Sequence, residues 1–396
     1  MNTVFRITAT VFVAIIMCAV AGSADPIKVG VLLPSTGVYA GLGDDQKHGL
    51  EMGFDNFGRA VAGRTIKLIY ADTESKPNIG LSQIKKLILR DQVDIVVGII
   101  SSAVAGAVRD FVHQAKIPLI ISNAGNDHIT GERCSPWILR TSFSNSQINR
   151  EMGPWMVSHG FQNIFLLAFD YTAGHQMMNA FRYGFVAAGG TIIGEEYPPL
   201  GETKDFGPYL AKIKAVKPDA TYVFLAGGPA IKFVKEWASF GLNEEIQLAG
   251  AGWLNSALYL DKQGDDAEGI LGILNYVPSI ENSENRDFQE QFQQRYDRVG
   301  SEFGVAAYDS ARLIVSALQM TKGQTSDKKA LVRAMLDTRF NGPRGPFQID
   351  RRTNNVIQNI YVFQVQKQGN DMVAVVQDVI LNVRDPSNGC QIQQNL

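Results

Sequence analysis

Metal-loving side chains are scarce in this sequence: three cysteines and five histidines are spread over 396 residues. No two histidines have the spacing of a zinc site, and cysteines in separate loops make a poor metal set. Charge of one sign is missing as well. The 37 basic and 39 acidic residues leave a net charge of -2, and no Lys/Arg block interrupts the chain. That removes the electrostatic footprint that nucleic acid or an anionic membrane surface demands. No apolar run after residue 24 approaches the length of a transmembrane helix. Catalytic signatures are absent too: there is no G-x-S-x-G, no G-x-x-x-x-G-K-[ST], no G-x-G-x-x-G after a strand and no H-E-x-x-H. Gly37, Gly41 and Gly43 are spaced wrongly for a dinucleotide loop and suit a flexible, ligand-contacting one. His128 and His175 could act as general bases, but neither has a nucleophile partner evident in the sequence.

What the chain does have starts at its first residues. Arg6 supplies positive charge, and the apolar run from Val11 to Val20 spans about half a bilayer. Gly22, Ser23 and Ala24 then offer the small residues a signal peptidase needs before Asp25. Residues 1–24 read as a cleavable secretory signal, which places the mature chain in the periplasm. Cys18 is a poor lipid acceptor, because Met17 stands where a lipobox wants Gly, Ala or Ser. Only Cys134 and Cys390 then remain. In an oxidising compartment an even pair reads as one disulfide, tying the C-terminal tail to a loop in the first third of the chain. Two separate thiols are the alternative; the loop-like surroundings, RCSPW and DPSNGCQ, favour the bond.

About 370 mature residues exceed one ordinary domain, and an apolar fraction of 45% is ample for two cores. Short apolar strands alternate with amphipathic helices. IKVGVLL, TIKLIYA, VDIVVGII and IPLIIS are continuous β-branched runs, as in a parallel sheet buried on both faces. One helix starts at Asp44 with Leu50, Phe54 and Phe57 on one face; another spans Asn78 to Arg90 with Leu81, Ile84, Leu87 and Ile88. After the polar stretch RTSFSNSQINR the alternation restarts with NIFLLAF, GTIIGEEY, ATYVFLA and IQLAGAG. Helices are predicted over 174–188, 206–216 and 229–240, then a long helical segment over 284–322 and a β-rich one over 346–380. The expected fold class is α/β, with two doubly wound parallel-sheet lobes. Crossings between them are placed near Thr141–Asn145, Asn275–Pro278 and Gly345–Asp350, forming a multi-strand hinge that permits closure.

The motifs carry a family resemblance. IKVGVLLPSTGVYAGLGDD with GLEMGFDNF, VVGIISSAVAGAVRDF and IPLIISNAGNDHITGERCSPWILRTSFSN stand in order, followed by FDYTAGHQMMNAFRYGF, GDDAEGI and FNGPRGPFQID. The chain resembles the periplasmic substrate-binding proteins of ABC importers, of the Leu/Ile/Val-binding type with a type I periplasmic-binding fold. That resemblance implies capture of a small molecule between lobes and its delivery to the permease and ATPase subunits of an importer. It implies no cofactor and no enzymatic step. The expected division is lobe 1 from 25–142 plus 277–346, lobe 2 from 143–276 plus 347–383, and a tail over 384–396. With no oligomerisation heptad, a monomer is expected.

Ligands of open α/β sheets bind beyond the carboxyl ends of the strands. Ser101 and Ser102 open a helix there, so their hydroxyls and backbone N–H groups make an anion site at its positive end. The family places its ligand carboxylate on a Ser matching Ser102 and on the loop Asn123, Ala124, Gly125 and Asn126. Tyr39, Leu42, Tyr171, Ala173, Gly228, Gly252 and Trp253 complete the implied ligand-binding set. One departure matters. The family's branched-chain amino-acid binders hold the ligand ammonium with an acidic residue at the position of Gly252, and AGAGWLNS has no carboxylate. An unpartnered buried ammonium is severely destabilised, so a carboxylate without an α-amino group is expected, with an aromatic acid first. Leucine-like amino acids are the alternative, with Asp170 or Glu196 reaching in. Phe143 and Tyr276 join Tyr39, Tyr171 and Trp253 as candidate aromatic lining; Tyr39 and Tyr171 stand out in Gly/Ala-rich loops. A periplasmic sensor of the same fold is the remaining rival.

Overall fold

The computed structural model describes residues 25–392; the expected signal segment 1–24, with Cys18, and residues 393–396 lie outside them. The first βα series runs β1 (Ile27–Leu33), α1 (Ala40–Phe57), β2 (Ala60–Val61), β3 (Arg64–Asp72), α2 (Pro77–Lys85), β4 (Ile95–Gly98), α3 (Ser102–Ala115), β5 (Leu119–Ile121), α4 (Asp127–Thr130) and β6 (Ile138–Arg140). The second runs α5 (Asn145–Ser158), β7 (Asn163–Ala168), α6 (Thr172–Ala187), β8 (Thr191–Glu196), α7 (Gly207–Val216), β9 (Ala220–Phe224), α8 (Gly228–Ser239), β10 (Gln247–Ala251), α9 (Leu260–Gln263) and β11 (Leu271–Leu274). Three helices follow, α10 (Ser283–Tyr296), α11 (Glu302–Met320) and α12 (Lys328–Asp337), then β12 (Arg339–Gly342), β13 (Gly345–Asp350), β14 (Asn355–Gln368) and β15 (Asp371–Val383).

The strand order is β2-β3-β1-β4-β5-β6-β14-β11-β10-β9-β7-β8. β1 pairs in parallel with β3 and β4, and β10 does the same with β9 and β11. These are two doubly wound parallel sheets, the expected α/β class. Strands such as β4 and β5 are buried at every residue, which is why they read as uninterrupted apolar runs. β14 joins the sheets: Asn355 bridges Arg140 of β6, and Tyr361–Gln364 pairs antiparallel with β11. The third passage therefore follows β14, whereas Gly345–Asp350 forms β13 in a hairpin with β12. Arg344 staples the passages together. Its guanidinium donates to the Thr141 carbonyl (2.8 Å), Gln358 Oε1 (2.8 Å) and the Asp309 carboxylate (2.8 Å), while Asn275 Nδ2 donates to the Ser142 carbonyl (3.2 Å).

Two local departures have plain causes. The helical pattern over 284–322 is broken into α10 and α11, because Asp297 takes a left-handed φ of 53° and Ser301 caps the next helix by accepting from the Phe303 N–H. The GLEMGF stretch is a packing device: a Cβ on Gly49 would stand 1.9 Å from the Gly304 carbonyl oxygen, so α1 and α11 cross at backbone contact.

Cys134 and Cys390 are bonded, with Cα atoms 5.6 Å apart across a separation of 256 residues. Reduction is expected to lower unfolding stability by about 2–4 kcal/mol in the chain-entropy account. Thermal melting of oxidised protein against Cys390→Ser protein checks this. An unchanged midpoint would mean that noncovalent contacts already hold the tail.

Candidate functional site

The carboxyl ends of β1, β4 and β5 in one sheet face those of β7, β9 and β10 in the other. Between them lies a cavity of about 30 Å³, walled by Tyr39, Leu42, Ile100, Ser102, Asn123 and Gly125, with Phe303 from α11, on one side. Phe143, Asn145, Tyr171, Ala173, Met177, Phe224, Ala226 and Trp253 form the other. A larger open groove of about 830 Å³ lies alongside, with His128, Glu132, Arg150 and His175 in its wall. The cavity between the sheets, with room as it stands for about one water, has the ring-lined apolar wall that suits burial of a ligand.

Among the described residues, no charged side chain stands in the cavity wall. Its polarity comes from oriented donors. The first intrahelical bond of α3 runs from the Ala105 N–H to the Ser101 carbonyl (3.0 Å), so the N–H groups of Ser102, Ala103 and Val104 precede the hydrogen-bonded ladder. A 14-residue helix carries about half a positive charge at that end. Asn145 Nδ2 reaches toward Ser102 Oγ at 3.4 Å and donates to Gln176 Oε1 at 2.8 Å. Asn145 Oδ1 and the Trp253 indole N–H are buried without a partner.

Aromatic rings supply the rest. Phe143 and Trp253 lie 4.5 Å apart between centroids, and Phe224 meets Trp253 edge-on at 84°. Tyr39, at the start of α1, donates its hydroxyl to that of Tyr171, at the start of α6, over 3.2 Å. This contact closes the cleft across the two sheets. Burial pushes the Tyr39 phenol up to about 12 and raises Tyr171 as well, so both remain neutral.

Not every candidate reaches the wall. Tyr39, Leu42, Ser102, Asn123, Gly125, Phe143, Tyr171, Ala173 and Trp253 are brought together there. Ser101 is the residue before α3, and Asn126 sits behind Ser102, its Nδ2 donating to the Ser102 carbonyl at 2.9 Å. Ala124 is buried beneath the loop, and Gly228 begins α8 on the exterior. Gly252 is not at the cavity: a Cβ there would meet Leu274 Cγ at 2.3 Å, so its missing side chain makes room for β11. Tyr276 is turned away, donating to Asn285 Oδ1 at 2.7 Å and packed edge-on against Phe288. Asp170 pairs with His175 and Glu196 with Lys212, both outside the cavity wall. Asn145, Met177, Phe224, Ala226, Phe303 and Ile100 were not foreseen. Asn145 lies where a crossing was expected, and the others follow core periodicity in sequence, which does not separate a cavity wall from a core.

Residues 26–370 match the periplasmic binding protein family model. A curated relative, a Leu/Ile/Val-binding protein homologue from Brucella melitensis, is 29% identical over 91% of this chain and 93% of its own length. Among solved structures, a solute-binding protein of an ABC transporter from R. palustris, in complex with benzoate, is 32% identical with a TM-score of 0.86, covering 93% of this chain and all of that one. Another, from Rhodopseudomonas palustris BisB5 in complex with 3,4-dihydroxybenzoic acid, is 31% identical with a TM-score of 0.87 over 91% of this chain and 99% of its own.

Proposed function

This chain belongs to the periplasmic binding protein family, as an ABC transporter substrate-binding protein with the type I periplasmic-binding fold, and on that premise we propose that it captures an aromatic carboxylate. The observation that carries this reading is the uncharged cavity wall. Helix N-terminal donors suit a carboxylate, the rings of Phe143, Phe224 and Trp253 suit an aromatic body, and nothing in the wall neutralises an ammonium. The benzoate and dihydroxybenzoate complexes of the two similar structures support the same class. The name of the Brucella melitensis relative favours a second reading, a leucine-like amino acid.

In this reading the lobes are 25–142 plus 277–354 and 143–276 plus 355–383, hinged along the passages that Arg344 ties. The boundary expected at 346 moves to the start of β14, because β13 hairpins with β12. The Tyr39–Tyr171 contact belongs to the closed form. The ligand is bound and released unchanged in this proposal. Export by the 1–24 signal, monomeric action, and hand-over to a membrane permease with its ATPase subunits complete the proposal. Ser102→Ala tests it. A charge-assisted hydrogen bond contributes about 1.5–3 kcal/mol, so calorimetry should show aromatic-acid affinity weakened about ten- to a hundredfold. Wild-type affinity in the variant would remove Ser102 from the site.

A further inference from the structure

The loop Asn123–Asn126 is held from behind carbonyl by carbonyl. The Asn123 carbonyl accepts from Ser142 Oγ (3.1 Å) and that of Gly125 from the Asn145 N–H (2.7 Å). The carbonyls of Ala124 and Asn126 both accept from Arg140 Nη1, at 3.2 and 3.3 Å. In a trans peptide the carbonyl of one residue points opposite to the N–H of the next. Fixing the Ala124 carbonyl on Arg140 therefore aims the Gly125 N–H away from Arg140. Gly125 lies in the cavity wall, while Arg140 is wholly buried beneath it.

A guanidinium so buried needs compensation. Arg140 Nη2 donates to Thr130 Oγ1, and Thr130 and Ser144 both donate to the carboxylate of Asp385. Asp127, accepting from the Ser146 N–H at 2.9 Å, is the second carboxylate acting on the guanidinium. Asp385 comes from far away in sequence. It lies between the end of β15 and Cys390, in a segment fixed by the disulfide to Cys134.

We infer that Arg140 is a positioning residue for the anion-binding loop, and that Asp385, delivered by the disulfide-held C-terminal segment, keeps it in register. The inference rests on the carboxylate-capture reading of the same cavity. The chain's last segment thus reaches the ligand through three contacts: disulfide to Asp385, Asp385 with Thr130 to Arg140, and Arg140 to the loop. No residue of that relay touches the ligand.

The test compares wild type with Asp385→Asn, Arg140→Lys and the Cys134→Ser/Cys390→Ser double variant. Benzoate and leucine are titrated by calorimetry, and hydrogen exchange of the 123–126 segment is followed in ligand-free protein. Asp385→Asn keeps the shape but loses one of the two oxygens that accept from Thr130 and Ser144 and whatever charge the carboxyl, raised by burial to about 7, carries. It is expected to weaken binding of whichever carboxylate the wild type binds by about tenfold, the scale of one charge-assisted hydrogen bond, and to speed loop exchange. Arg140→Lys, whose single nitrogen cannot serve both the loop carbonyls and Thr130 as the two guanidinium nitrogens do, should act in the same direction, and the double variant more weakly. Should Arg140→Lys not fold, Asp385→Asn decides alone. A lowered melting midpoint with wild-type affinity and wild-type loop exchange would reduce the relay to a stability element and overturn the inference. If the wild type binds neither probe, the capture reading fails, and loop exchange alone decides the positioning role.

Discussion

Benzoate-type acids are expected to saturate this protein at micromolar concentration, and leucine, isoleucine and valine to bind at least about a hundredfold more weakly. Both kinds of ligand carry a carboxylate, and the α3 terminus and the 123–126 loop serve either. The ammonium separates them. Leaving one buried charge without its partner costs about 3–5 kcal/mol, enough for that factor. The wall offers neutral oxygens only: Ser102, Asn123, Asn145 and two phenols kept neutral by burial. Asp170 and Glu196, which sequence left as possible partners, are paired with His175 and Lys212. Glu302, next to Phe303, is buried behind the wall and pushed up to about 8 by desolvation, so near neutral pH it is mostly uncharged. Calorimetric titration of benzoate, 4-hydroxybenzoate and the three amino acids decides the matter. Micromolar leucine with no response to any aromatic acid would mean that a carboxylate moves into the cavity on binding.

The outline of this site was legible in sequence where chemistry and chain direction coincide. Ser102 follows a buried strand and opens a helix, a combination that places donors at a sheet's carboxyl edge in any doubly wound fold. Cys134 and Cys390 were legible because the expected compartment leaves an even pair. Tyr276 and Phe224 show where legibility ends. Both are aromatics at strand ends, yet Phe224 faces Trp253 and Tyr276 faces Asn285. A strand's alternation says that two faces exist, not which one a cavity interrupts. Gly252 is subtler. Its missing side chain is plain in sequence, but whether that space belongs to a ligand or to Leu274 depends on how β10 and β11 lie together. Arg140 was invisible for a related reason, since its counter-charge is Asp385, 245 positions along the chain by the residue numbers.

Replacing Gly125 should do more harm to binding than any other single methyl. A Cβ there would stand 2.2 Å from Asn145 Oδ1 and 2.5 Å from Phe143 Cε2, well inside contact distance. Asn145 cannot step back freely, because its backbone N–H is bonded to the Gly125 carbonyl and its side chain to Gln176. Phe143 is backed by Trp253. The new methyl therefore drives the ring into the cavity or pulls the loop off Arg140, and either spoils the cradle. Overpacking of this kind costs about 1–3 kcal/mol of stability, while the ligand loses both shape and the Gly125 donor. Gly125→Ala is expected to weaken aromatic-acid binding by about a hundredfold or more, with a modest fall in melting temperature. Gly228→Ala is the matched comparison. Gly228 is also a glycine of the family-implied set, but a Cβ there meets nothing within 4 Å, so affinity and melting should both stay at wild-type values. Calorimetry on the pair separates a built cradle from a tolerant surface position. Wild-type affinity in Gly125→Ala would place the ligand elsewhere than this cavity.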